Sequence, residues 1–141
     1  MRAPQCLLLF FLLPVLLAVR VQAADFVVVV NTENPVVSLG RSEVKNIFLG
    51  KKMFWPSGVG IDVALQDDNE VHRSFVLEIL NKSPRQLAMY WKQELFSGTG
   101  IPPKEYPDDQ SVKDAVAANP KAIGYIDALR LDDTVREVRI E

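Results

Sequence analysis

Between residues 24 and 141 the apolar positions switch between a period of two and a period near 3.6, and each switch marks an element. Phe26 to Val30 is an unbroken apolar, mostly β-branched run, which predicts a strand buried on both faces, as in a parallel sheet. Asn31 to Pro35 carries turn residues. From Arg41 to Leu49 the period lengthens, with Val44, Ile47 and Phe48 on one helical face and Gly50 at the C-terminal cap. Pro56-Ser57-Gly58 reads as a loop, and Ile61 to Leu65 alternates as a second strand. Helical spacing returns from Asn69 to Leu80, where Val71, Phe75, Val76, Ile79 and Leu80 form the apolar stripe. Ser83-Pro84-Arg85-Gln86 then combines an N-cap serine, a proline at the first helical position and a glutamine at N3, a capping box. That helix is predicted to reach Phe96 and to bury Leu87, Trp91 and Leu95, with Tyr90 on its flank. Gly98 to Asp109 reads as an irregular loop stiffened by Pro102, Pro103 and Pro107, followed by a helix from Gln110 to Ala118 that stops at Asn119-Pro120. Ala122 to Ile126 and Val135 to Ile140 close the chain as strands. Strands alternating with helices predict one α/β domain.

Residues 1–23 follow a different pattern. Arg2 is basic, Leu7 to Val19 is apolar apart from Pro14, and Val21-Gln22-Ala23 places small residues at the −3 and −1 positions. This is the pattern of a signal peptide cleaved after Ala23, too short for a membrane span. The domain boundaries are therefore 1–23 for the signal and 24–141 for one exported domain. The single cysteine, Cys6, lies inside the signal, so residues 24–141 can make no disulfide and no thiolate metal site. A domain exported without disulfides fits a bacterial periplasm. Removing Arg2 and Arg20 leaves fourteen basic against eighteen acidic side chains, a net charge of −4. That balance excludes the basic stripe of a nucleic-acid binder.

One set of segments in fixed order carries a family resemblance. Ile47-Phe48-Leu49-Gly50-Lys51 ends the first helix, Trp55 follows, then the Ile61 to Leu65 strand, then Arg73 with Phe75 near a helix start, and finally Ala122-Ile123-Gly124-Tyr125-Ile126. Trp91, Phe96-Ser97-Gly98 and Pro102-Pro103 extend the match. The chain resembles the substrate-binding proteins of phosphate ABC transporters, of the type II periplasmic-binding-protein superfamily, in a short single-lobe form. The resemblance implies an α/β fold, a mixed sheet flanked by helices, equivalent to one lobe of the two-lobe binders. It also implies a periplasmic solute-binding role with a transporter or sensor as protein partner.

In the full-length binders the resemblance places a Ser-Gly-Thr loop at the start of a helix, whose amides and hydroxyls hold the oxyanion. Helix N-termini suit anions because their first N–H groups are unpaired and carry partial positive charge. At the corresponding place this chain reads Gln66-Asp67-Asp68-Asn69-Glu70-Val71-His72-Arg73-Ser74, without Ser-Gly-Thr. Arg73, Ser74 and Asn69 are the residues left to meet phosphate or a related anion. Asp67, Asp68 and Glu70 oppose it: each carboxylate about 6 Å from an anion costs roughly 1 kcal/mol at an effective dielectric of about 50. The competing reading is that the acids cap the helix and Arg73 forms a surface ion pair. Ser97-Gly98-Thr99 spells the missing motif, but the prolines after it point to a helix C-cap and a rigid loop.

Other chemistry finds few residues. His72 is the only histidine, and it reads as an exposed helix position rather than a metal ligand or a catalytic base. Asp67 to Glu70 lacks the glycine and the spacing of a calcium loop. Asp108-Asp109 and Asp132-Asp133 read as cap and turn residues. Lys51 and Lys52 beside Phe54-Trp55-Pro56 admit two readings: a partner-binding edge, or Trp55 packed over the first helix with the lysines at its C-terminus. No catalytic constellation, cofactor motif or metal site stands out. The expected function is an exported phosphate-binder-like protein, the alternative an interaction or sensory module derived from such a lobe. A homodimer is one way for a single lobe to enclose a ligand.

Overall fold

The computed structural model describes residues 25–141, so the predicted signal peptide lies outside the described residues. In chain order the elements are β1 (Phe26–Val30), β2 (Ser38–Leu39), α1 (Arg41–Phe48), β3 (Asp62–Gln66), α2 (Glu70–Leu80) and α3 (Pro84–Phe96). They are followed by β4 (Lys104–Tyr106), α4 (Asp109–Ala118), β5 (Ala122–Asp127) and β6 (Arg136–Ile140). The helices start where a side chain can take up a free amide. Asn69, Ser83 and Asp108 accept from the backbone N–H of His72, Gln86 and Ser111, at 2.8, 3.1 and 2.8 Å. The Ser83–Gln86 capping box is complete, with Ser83 N donating to Gln86 Oε1 at 2.8 Å.

The strands form one mixed sheet in the order β2-β6-β1-β5-β3-β4. β3 runs parallel to both β4 and β5, whereas β1 is antiparallel to both of its neighbours, β5 and β6. The expected parallel setting of β1 is therefore corrected. Val28, Val29 and Val30 are buried because helices cover both faces of the sheet, and that burial does not depend on strand direction. Val28 and Val30 face a core shared with α1, α2 and α3, and Val29 faces a second core built on α4. Along β5, Ile123 and Tyr125 belong to the first core and Ala122 and Ile126 to the second. Gly124 lets α4 approach the sheet: a Cβ there would lie 2.8 Å from Val112 Cγ1.

Three local expectations change. β4 lies within the stretch expected to be an irregular loop, and β2 is a further short strand. Each has two or three residues and gains its strand character from one neighbour, not from an apolar pattern of its own. Leu95 is 54% exposed although Leu87 and Trp91 on the same stripe are buried; it borders an open surface groove. His72, expected to be exposed, is 7% exposed and faces inward. Trp55 is buried and donates from Nε1 to the Lys121 carbonyl at 3.0 Å, which closes the core beside α1. Lys52 reaches back to Glu43 at 2.7 Å instead of onto the last carbonyls of α1. Ser97-Gly98-Thr99 forms the C-terminal turn of α3, with Gly98 at φ 71° and Thr99 Oγ1 donating to Glu94 Oε2 at 2.7 Å.

Candidate functional site

The three mutually parallel strands end together at Gln66, Tyr106 and Asp127, and two helices begin beside those ends. β3 turns through Asp67 to Asn69 into α2, and β4 turns through Pro107 and Asp108 into α4. In open α/β sheets the carboxyl ends of parallel strands are the usual place for ligands. Gln66, 1% exposed, joins the two helix starts. Its Oε1 accepts from Asn69 Nδ2 at 2.7 Å, while its Nε2 donates to Asp109 Oδ1 at 2.7 Å and to the Tyr125 carbonyl at 2.9 Å. Asp109 Oδ1 also accepts from Asp127 N at 3.0 Å, so Asp108 caps α4 while Asp109 turns inward to tie three strand ends together.

Tyr125 organises the other side of the network. Its hydroxyl accepts the Gln66 N–H at 3.0 Å and meets His72 Nδ1 at 2.5 Å. Because the hydroxyl oxygen already accepts a backbone proton, its own proton is best used on His72 Nδ1, which assigns the histidine as the neutral Nε2–H tautomer. The Tyr125 ring stacks on Phe75 with centroids 3.9 Å apart and planes 9° apart. Burial pushes the Tyr125 hydroxyl above its ordinary range. Burial also pushes His72 below its ordinary value, opposed by the charges of Asp68 and Asp67 and assisted by that of Arg73.

The depressed histidine makes a pH prediction. The unfolded chain takes up a proton near its ordinary pKa of 6.5, whereas the folded chain does so only at lower pH. Stability is therefore complete above that value and falls as the pH is lowered through it, by up to about 1.4 kcal/mol per pH unit. The carboxylates with lowered pKa, Glu43, Asp108 and Asp132, lose their contributions at lower pH still. Urea midpoints are expected to decline between about pH 7 and pH 5 and to lie flat there in His72→Gln. A sloping curve in that variant would place the titrating group elsewhere.

The residues expected to meet an anion are placed as follows. Arg73 Nε donates to Asp68 Oδ1 at 2.8 Å, an exposed pair. Asn69 uses Oδ1 to cap His72 N and Nδ2 to hold Gln66. Ser74 is half-buried one residue further along α2. The amides of Glu70 and Val71 are those at the helix start without a protein acceptor among the described residues. Asp67, Asp68 and Glu70 are their near neighbours in the chain. The acidic pairs do not converge elsewhere: Asp132 accepts from the buried Lys113 Nζ at 2.7 Å. Among the described residues no group of three or more His, Cys, Asp or Glu is placed to hold a metal. The residues missed from sequence are Gln66, Tyr125 and Asp109. A polar residue at a strand end, three positions before a helix cap, was the available signal for Gln66, and nothing local marked the other two.

No protein-family model matches the chain, and no curated protein matches it. Solved structures do. A Clostridium perfringens protein with bound phosphate, assigned to the phosphate ABC transporter substrate-binding proteins, superposes with a TM-score of 0.66 at 23% identity. That match covers 83% of this chain and 45% of the other. An ABC-type phosphate transport receptor from Vibrio cholerae gives 0.65 at 19% identity, over 83% and 46%. PstS from Borrelia burgdorferi gives 0.62 at 13% identity, over 84% and 47%. The chain spans about half the length of these solved proteins. It has the mixed α/β fold that phosphate-transport binding proteins carry over about half of their length.

Proposed function

We propose that this chain is an exported solute-binding lobe that takes phosphate or a related oxyanion at the start of α2. The observation that supports this most is the placement of two helix N-termini at the ends of three parallel strands, in a fold shared with a phosphate-bound protein. The anion would take the amides of Glu70 and Val71, with Ser74 donating a hydroxyl and Arg73 turning from Asp68 to the ligand. Asn69 would act by holding the helix start in place. The exposed Arg73–Asp68 pair is worth at most about 1 kcal/mol, so an anion can compete for the guanidinium. The chemistry offered is recognition, not bond making, so the reading is a binder and not an enzyme. A transporter or sensor is its protein partner, and a homodimer would enclose a ligand that one lobe leaves half in water. No helix among the described residues is long and apolar enough to cross a membrane; export rests on residues 1–23 and their cleavage.

One observation favours a second reading, an accessory or sensory module without a small ligand. The polar groups of Gln66 and Asn69 are satisfied internally, and the segment that starts α2 carries three acids, Asp67, Asp68 and Glu70. Calorimetric titration of residues 24–141 with phosphate in phosphate-free buffer separates the two. The first reading expects saturable, micromolar binding that Arg73→Ala weakens about tenfold, the loss of one charge-assisted hydrogen bond. No heat up to millimolar phosphate would sink it and favour the module.

A further inference from the structure

On the sheet face that carries α2 and α3, an open groove of about 300 Å³ lies between α3 and the segment leading into β4. Its volume is at the lower end of the roughly 300–1,000 Å³ typical of small-molecule sites. Leu65, Leu87, Leu95, Pro102 and Pro103 make the lining apolar. Two ring N–H donors belong to the same lining. With Nδ1 taken by the Tyr125 hydroxyl, His72 carries its proton on Nε2, which has no acceptor among the described residues. Trp91 is 6% exposed, and its Nε1 is buried without an acceptor. Buried donors almost always have partners, so the orphaned Trp91 Nε1–H, with a His72 Nε2–H that has no protein acceptor in the same lining, points to an acceptor supplied from outside.

The surrounding charges decide what kind of acceptor fits. Asp68 and Asp67 act on His72 from the turn before α2. Glu105 lines the groove, and its charge reaches the buried Tyr125. Arg73, also close to His72, pairs with Asp68, so those two charges offset each other and Asp67 and Glu105 remain. Lys92 is the one cation of the lining. A carboxylate entering here meets more acid than base, whereas a neutral carbonyl oxygen can take N–H bonds without that opposition. We infer that the groove between α3 and the strand leading into β4 binds a small uncharged apolar molecule through a carbonyl oxygen held by His72 Nε2–H and Trp91 Nε1–H. This site is separate from the start of α2 and does not require that phosphate binds.

The test compares cyclohexanone with methylenecyclohexane, which has the same shape without the oxygen. Each is titrated into the ¹⁵N-labelled protein while the ring N–H signals of Trp91, Trp55 and His72 are followed by NMR. The inference expects saturable shifts of the Trp91 and His72 signals with cyclohexanone, at an affinity about tenfold above that of the hydrocarbon. Trp55, already bonded to the Lys121 carbonyl, should stay in place. Ala88→Trp adds bulk at an exposed position of the groove wall and should abolish the shifts without disturbing the core. Equal affinity for the two probes, no saturable shift, or shifts that persist in Ala88→Trp would each overturn the site. Tighter binding of cyclohexanecarboxylate than of cyclohexanone would overturn its preference for an uncharged ligand.

Discussion

Tyr125→Ala is expected to lower the unfolding free energy by about 4–8 kcal/mol, a larger effect than any other single change predicted for this chain. Truncating a buried aromatic residue to alanine costs about 3–5 kcal/mol through lost burial and the cavity left behind. Here the ring also stacks on Phe75 and lies 5.7 Å from the Phe48 ring, so two aromatic side chains lose a neighbour together. A further part comes from the hydroxyl. Without it the Gln66 N–H is buried with no acceptor and His72 Nδ1 has no donor, which costs about 1–3 kcal/mol. Tyr125→Phe keeps the ring and isolates this polar part, so it should cost about 2 kcal/mol. Urea unfolding of the two variants checks both numbers. Equal losses in the two would mean that the stack contributes nothing beyond the hydroxyl, contrary to the packing described.

Gly50→Ala is expected to cost about 2–5 kcal/mol, from two causes that a control can separate. Gly50 sits at φ 73°, just past the end of α1, where a side chain costs about 1–2 kcal/mol. A Cβ there would also lie 2.9 Å from Trp91 Cη2, and relieving such a contact in a packed region typically costs about 1–3 kcal/mol. Gly58 has a similar positive φ of 87° but no atom within 4 Å of a built Cβ. Gly58→Ala should therefore pay the backbone part alone. Urea midpoints, with near-ultraviolet dichroism to follow Trp91, test the difference. If the two alanines cost the same, the indole gives way freely and does not pin α3 against the end of α1.

Helix boundaries were legible because capping chemistry is local. Ser83 with Gln86, and Gly50 after Leu49, announce their geometry within a few residues. Most strands were legible because their apolar runs are long enough to show a period. β4 was not, since Lys-Glu-Tyr has no apolar pattern and becomes a strand only by lying beside β3. His72 was misplaced for a related reason. A polar residue at N3 of a helix normally faces solvent, and only the Tyr125 hydroxyl, 53 positions away, makes its burial tolerable. The Leu95 stripe position failed in the opposite sense, because helical periodicity gives a direction but not whether a neighbour stands there.

The candidate site shows the same division. Arg73, Ser74 and Asn69 could be named from their position before and within a helix, and the Arg73–Asp68 pair was foreseeable from short-range spacing. Gln66, Asp109 and Tyr125 could not be connected, because their hydrogen bonds cross 43 and 59 positions of chain. The sequence by itself determined the α/β class, the helix caps and the acidic character of the α2 entrance, since each follows from interactions among near neighbours. Only the tertiary structure decided that β1 is antiparallel on both sides, that His72 is buried and neutral, and that two helix starts meet at one glutamine. Those outcomes depend on which distant segments come into contact, and a buried polar group takes its partner from that contact rather than from its neighbours in the chain.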